Sequence, residues 1–234
     1  MRFDIMTLFP DLVRGVLSES VIGRAQKSGA IIVEAHNIRD YSKDKHRRVD
    51  DTPYGGGKGM LMMAPPIYDC YRAVLEKAGE AGQRRVVYMS PRGRVLTQEK
   101  AKELACLDHL VILCGHYEGV DARIIEEIVD EEISIGDYVL TGGEIPACIL
   151  VDAVARLVDG VLAAPECYEN ESHSQGLVEY PQYTRPVEFM GRSVPEVLLS
   201  GHHANIEKWR AEQSLSETER LRPDLLERNK HEKN

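Results

Sequence analysis

The sequence predicts an α/β fold in which helices cover both faces of a parallel sheet. Strand-like runs alternate with segments of helical spacing. The runs are continuously apolar, as strands buried on both faces require, and three of them end in loops that contain glycine.

Residues 2–9 are rich in β-formers and stop at Pro10, and residues 11–17 follow at helical spacing. A second helical stretch ends near Gly29, before a strand over 31–36. Periodicity disappears over 39–59 and returns as a helix over 67–78, where Ile67, Tyr71, Val74, Leu75 and Ala78 keep the 3.6-residue period. Residues 85–89 form a strand, Thr97 caps a helix running to about Ala105, and 110–114 form a second apolar strand. A helix over 121–129, a short strand over 133–135 and a helix with Pro146 in its first turn, running to about Val158, complete this part. The pattern breaks near Gly160, and residues 163–186 are rich in Glu, Tyr, Pro and Ser without periodicity. Short helices over 195–199, 204–213 and 215–226 follow. The expected organisation is a domain over 1–160, a linker over 161–175 and a small helical domain over 176–234.

Composition narrows the function. The 234 residues suffice for one full core and a small second domain. With 43% hydrophobic residues and no apolar run approaching the roughly 18 of a membrane span, disordered and membrane-embedded classes are excluded. Asp4 interrupts what would be the apolar stretch of a signal peptide, so a cytosolic protein is expected. Cys70, Cys106, Cys114, Cys148 and Cys167 are odd in number and contain no Cys-x-x-Cys, and they read as small buried hydrophobes. The eight histidines lack metal-ligand spacing and most of them read as surface residues, so no metal site is expected.

A net charge of −9 argues on its face against a nucleic-acid partner. The acid is central, however: residues 115–171 hold 14 Asp/Glu against 2 Lys/Arg, whereas residues 1–114 hold 18 Lys/Arg against 14 Asp/Glu. A phosphate-binding surface built from the two ends stays open. Five Lys/Arg between Arg39 and Arg48, followed by the glycines at 55, 56, 57 and 59, tilt that loop towards a polyanion. The glycine cluster is not a P-loop, because Met60 stands where Ser or Thr should bind magnesium and no strand precedes it. In open parallel sheets ligands sit at the carboxyl ends of the strands. The loops at 90–93, 115–119 and 136–143 therefore place a small-ligand site there. Their glycines let main-chain groups approach closely, which suits a purine or similar flat heterocycle.

Pro-Tyr-Gly-Gly-Gly-Lys-Gly-Met-Leu-Met-Met at 53–63, Leu-Cys-Gly-His-Tyr-Glu-Gly-Val-Asp at 113–121, Ser-Ile-Gly-Asp-Tyr-Val-Leu-Thr-Gly-Gly-Glu at 134–144 and Tyr-Thr-Arg-Pro at 183–186 share one character. In this order, across essentially the whole chain, they resemble the bacterial tRNA (guanine-N(1)-)-methyltransferase family, TrmD. The resemblance implies a deep trefoil knot of the SPOUT class in the parallel sheet and a helical C-terminal domain that binds tRNA. It also implies a homodimer whose active sites are shared between subunits, and S-adenosylmethionine as methyl donor. The acceptor it implies is ring nitrogen 1 of guanosine 37, next to the anticodon.

By the same resemblance the donor is bound by Tyr88, Met89, Ser90 and Pro91, by Gly115, Tyr117, Glu118 and Gly119, and by the run from Ser134 through Ile135, Gly136, Asp137, Tyr138, Val139 and Leu140 to Gly142 and Gly143, with Pro146. Asp50, Asp51, Gly57 and Gly59 match the substrate-contacting segment, and Lys58 stands where the family often has Pro. The family's linker Asp-Ser-Phe reads Glu171-Ser172-His173 here, which makes Glu171 the expected general base. Glu171 is one methylene longer, so either the local backbone compensates or Glu169 takes part. Arg156 matches the catalytic arginine that faces the guanine's exocyclic oxygen, and it also stands one turn beyond Asp152, an ion-pair partner in its own helix. Glu118 matches a residue close to the donor. Magnesium dependence goes with the family, although no ligand cluster for it is visible. The other readings are a knotted methyltransferase acting elsewhere on RNA and a non-catalytic RNA-binding module.

Overall fold

Strand order explains where the loops meet. In the computed structural model, residues 1–80, 82–164, 171–174 and 176–231 are described. The first of two units, Met1–Ala163, runs in chain order through β1 (Arg2–Thr7), α1 (Pro10–Leu17), α2 (Ser20–Ser28), β2 (Ile32–Asn37), β3 (Asp50–Asp51), β4 (Leu61–Met62), α3 (Ala64–Ala78), β5 (Arg84–Val95), α4 (Gln98–Ala105), β6 (His109–Cys114), α5 (Ala122–Ile128), β7 (Glu131–Ser134) and α6 (Glu144–Ala155). The sheet has the order β2-β1-β6-β5-β7, with every pair parallel. Central β6 is buried at all its positions, because successive side chains point to opposite faces and both faces are covered. Phe3, Ile5, Val87, Leu110 and Ile112 pack with Val13 of α1, Leu104 of α4 and Val151 of α6. Met6, Val86, Val111 and Leu113 pack with Ile67 and Val74 of α3 and Ile124 of α5 on the other face. Each such side chain stabilises the unit by roughly 1.5–3 kcal/mol.

Two expectations for this unit are corrected. Residues 39–59 are not patternless: after a 3-10 turn at Ile38–Tyr41, β3 and β4 pair as an antiparallel hairpin, and Val49 is fully buried beside it. Two-residue strands are too short to leave a period. The strand expected over 85–89 continues to Val95, with its register against β7 jumping between Met89 and Arg94. Residues 90–93, expected as a loop at a strand end, are instead a bulge within β5, whose pairing resumes at Arg94 and Val95. Gly93 is required there, since a Cβ would stand 2.5 Å from the Glu132 carbonyl oxygen.

The second unit, Ala164–Asn234, holds a hairpin of β8 (Glu188–Phe189) and β9 (Arg192–Ser193), then α7 (Glu196–Leu199), α8 (His203–Leu221) and α9 (Pro223–His231). The boundary between the units falls inside the stretch expected to be a linker. The helices expected over 204–213 and 215–226 are instead one 19-residue helix and a second that begins at Pro223. Ser214 does not break α8, because its hydroxyl donates to the Val178 carbonyl while Thr218 Oγ1 accepts from the Val178 amide. These bonds tie the 176–178 segment to α8. Proline, which cannot donate and pushes the preceding Arg222 out of helical geometry (φ −141°), makes the break.

Cys70, Cys114 and Cys148 are buried as expected, but Cys106 is exposed at the end of α4, and Cys167 lies outside the described residues. His36 and His109 are exceptions to the surface reading of most histidines; both are packed against Asp4. Among the described residues, no helix is long and apolar enough to cross a membrane.

Candidate active site

The bulged middle of β5 and the carboxyl ends of β6 and β7 open into one cleft. Its walls come from residues 88–91, 115–119, 133–135, 138–143 and Pro146. Every donor-binding residue expected from the sequence is on this lining except Gly136 and Asp137, and His116, Ile133 and Thr141 are added to it. Gly136 has a conformational task instead: its φ is +146°, and its amide and carbonyl both bond the Ser134 hydroxyl, while the Tyr138 amide donates to its carbonyl. Asp137 lies in this turn without facing the cleft.

Glycines close the loops on one another. The Gly143 amide donates to the Gly115 carbonyl at 2.8 Å, and His116 pairs with Gly142 as an isolated antiparallel bridge. A Cβ on Gly143 would meet Cys114 Cα at 2.8 Å, and one on Gly115 would meet the Tyr88 hydroxyl at 2.7 Å. The chain thus leaves β7 at the sheet edge and docks Gly142 and Gly143 against the end of β6, two strands away.

The β3–β4 hairpin meets the same site from outside. The Glu118 amide donates to the Met60 carbonyl, the Met62 amide to the Gly119 carbonyl, and Asp50 and Asp51 pair with Met62 and Leu61. Gly57 and Gly59 have φ of +143° and +86°, in the region open to glycine. Arg39, from the basic loop, donates to the Tyr117 hydroxyl at 3.2 Å, which brings one of its cations to the cleft mouth.

Burial favours the neutral forms of the cleft's Tyr88 phenol and of two thiols outside its lining. Burial pushes the Tyr88 phenol up, with the Glu132 carboxylate adding to it. Burial and then Glu144 raise the Cys114 thiol well above its usual value and Cys148 to about 11. Neither thiol can act as a nucleophile at neutral pH.

The expected catalytic residues are not all brought together. Glu118 lines the cleft. Arg156, the C-cap of α6, lines a different pocket, with Val16, Glu19, Ile145, Ile149 and Asp152. Glu171 belongs to the second unit, where its carbonyl accepts from the Ser174 amide. Glu169 lies outside the described residues. Among the described residues, one group has metal-ligand spacing: Asp4, Glu34 and His36. None of the three lines the cleft, and the Asp4 oxygens already accept from Arg2, His36 and His109. That set does not fit a magnesium ion serving the cleft.

A family model described as tRNA (Guanine-1)-methyltransferase TrmD matches residues 1–228. The chain is 62% identical over 226 residues to the tRNA (guanine-N(1)-)-methyltransferase of Ruminiclostridium cellulolyticum, covering 97% of this chain and 96% of that protein. It is 58% identical over 227 residues to the protein of the same name from Lachnospira eligens, covering 97% and 95%. With the one from Thermomicrobium roseum it shares 53% identity over 228 residues, covering 97% and 84%.

Proposed function

The chain belongs to the tRNA (guanine-1)-methyltransferase family, and from that premise we propose that it transfers a methyl group from S-adenosylmethionine to ring nitrogen 1 of guanosine 37 in tRNA, in the cytoplasm. The observation that carries the reading is the cleft itself, with loops from the ends of β6 and β7 locked together by glycines beside the β5 bulge. Its residues fit the donor: Pro91, Ile133, Val139, Leu140 and Pro146 offer apolar surface for an adenine ring, the loops present main-chain polar groups, and Glu118 brings a carboxylate for a sulfonium. The donor supplies an electrophilic methyl group whose sulfur leaves as a neutral thioether.

The chain's own residues then manage one proton and one developing charge. Guanine nitrogen 1 carries a hydrogen, and Glu171 takes that proton as general base, an effect on the order of 10² to 10⁴ in rate. As the proton leaves, negative charge grows on the exocyclic oxygen. Arg156 faces it with a guanidinium, worth about 3–4 kcal/mol by analogy with an oxyanion donor. Asp50, Asp51, Gly57 and Gly59 hold the acceptor strand beside the donor loops, and the basic stretch from Arg39 to Arg48 meets its phosphates.

The active form is a homodimer in which the Glu171 of each chain serves the donor bound by the other. Arg156 sits outside its own chain's donor cleft, on a face where Val16, Ile145 and Ile149 are 51, 47 and 42% exposed. A second copy covering that apolar face would bring the arginine and the cleft together. The return of the chain from β7 to the end of β6 supports a trefoil knot in the sheet, with the second unit serving as the tRNA-binding domain.

Labelled-methyl transfer to a tRNA transcript tests the reading. Incorporation into a transcript with guanosine 37, and none when that base is adenosine, is expected. Equal incorporation into both would move the reaction to another RNA position. RNA binding without a thermal shift from S-adenosylhomocysteine would leave a non-catalytic module.

A further inference from the structure

Thr7 and Glu144 lie 137 residues apart and meet where neither borders the cleft. Thr7 is the last residue of β1 and is completely buried; Glu144, the first residue of α6, is 4% exposed. The Thr7 hydroxyl donates to Glu144 Oε1 at 2.7 Å, and Thr7 Oγ1 itself accepts from the Phe9 amide at 2.9 Å. Both capacities of the hydroxyl are thereby committed to opposite sides.

On one side is the start of α6. Gly142, Gly143 and Pro146 line the cleft, and α6 has no side-chain cap at its N-terminus. Its position is set by the Gly143 amide on Gly115 and by Glu144 on Thr7. On the other side is Phe9, whose ring lies 5.1 Å from that of His116, which in turn lies 4.9 Å from Tyr117. Glu144 also reaches the middle of the loop contact. The space where a Gly142 Cβ would stand is 2.5 Å from Glu144 Oε2 and 3.0 Å from the His116 ring.

We propose that Thr7 and Glu144 are a positioning pair that holds the 115–119 and 142–146 walls at their working separation before the donor arrives. The pair acts through Phe9, His116 and the α6 start, so neither residue is catalytic. The inference rests on the donor occupying this cleft. Removing the hydroxyl leaves a buried carboxyl group without its donor and frees both walls, which should weaken donor binding and leave the RNA side untouched.

The test uses full-length Thr7→Val and Thr7→Ser proteins at a temperature where circular dichroism shows both fully folded. Thr7→Val should raise the S-adenosylhomocysteine dissociation constant and the S-adenosylmethionine KM about tenfold, with the tRNA KM at saturating donor unchanged. Thr7→Ser, which keeps the hydroxyl, should restore both to near wild type. A Thr7→Val protein that melts at lower temperature yet binds donor normally would overturn the inference, reducing the pair to a fold contact. Equal weakening in both variants would overturn it as well. If wild type itself failed to bind S-adenosylhomocysteine, the placement of the donor would be wrong, a failure distinct from either of these.

Discussion

Gly59 lies against the Glu118 carboxylate so closely that a Cβ on Gly59 would stand 2.5 Å from Oε1. The β3–β4 hairpin and the 115–119 loop are therefore fitted to each other at a carboxylate. Gly59→Ala places a side chain at φ +86° and pushes Glu118 aside. The backbone strain costs about 1–3 kcal/mol. Kinetics should show a raised KM for donor and a fall in kcat, and wild-type values for both would mean that Glu118 is not held by this contact.

Gly143→Ala sets a methyl group on the backbone of β6, with Cys114 Cα at 2.8 Å and Gly115 N at 3.0 Å. Backbone cannot yield as a side-chain tip does, so the loops must part. Thermal melts should show a loss of about 1–3 kcal/mol, and calorimetry should show no binding of S-adenosylhomocysteine.

Asp4 is a buried charge with a full set of partners: Arg2 at 2.6 Å, His36 at 2.6 Å and His109 at 2.7 Å. Burial alone would raise its pKa, but the bonds from His109, His36 and Arg2 overcome it and hold the group well below the usual carboxylate range. Because the folded value lies below the unfolded one, the stabilisation is complete above the unfolded value and is lost as pH falls towards the folded one. Denaturant midpoints should thus decline below about pH 4. In Asp4→Asn, stability at pH 7 should drop by about 3–5 kcal/mol and the acid decline should flatten. An unchanged acid limb would move the cause elsewhere.

Glu171→Gln and Arg156→Ala should each abolish transfer while leaving donor binding nearly intact. Mixing refolded Glu171→Gln with Gly143→Ala chains separates shared from self-contained sites. If the base serves its neighbour's donor, the mixed dimers have one complete site, and about one quarter of wild-type activity returns. Self-contained sites give none.

Much of the architecture was legible because both faces of the sheet are apolar. β6 reads as an unbroken run from Leu110 to Cys114 since each face has its own helices. The site was legible as loops rather than as side chains, because Gly115, Gly142 and Gly143 answer to close backbone approach. What sequence hid was long-range. The β3–β4 hairpin is too short for a period and is fixed by bonds to 118–121. The Thr7 and Glu144 contact spans 137 residues, and each residue alone is an ordinary polar one. Ser214, which falls between two helices expected from the sequence, lies inside one continuous helix and uses its hydroxyl to hold the Val178 carbonyl.

The most direct measurement is nucleoside analysis of unmodified tRNA after incubation with the wild-type protein and labelled S-adenosylmethionine. The account predicts that the label appears as 1-methylguanosine, with one methyl group per tRNA at completion. Labelled product of any other identity, or none from protein that binds the donor, would contradict it.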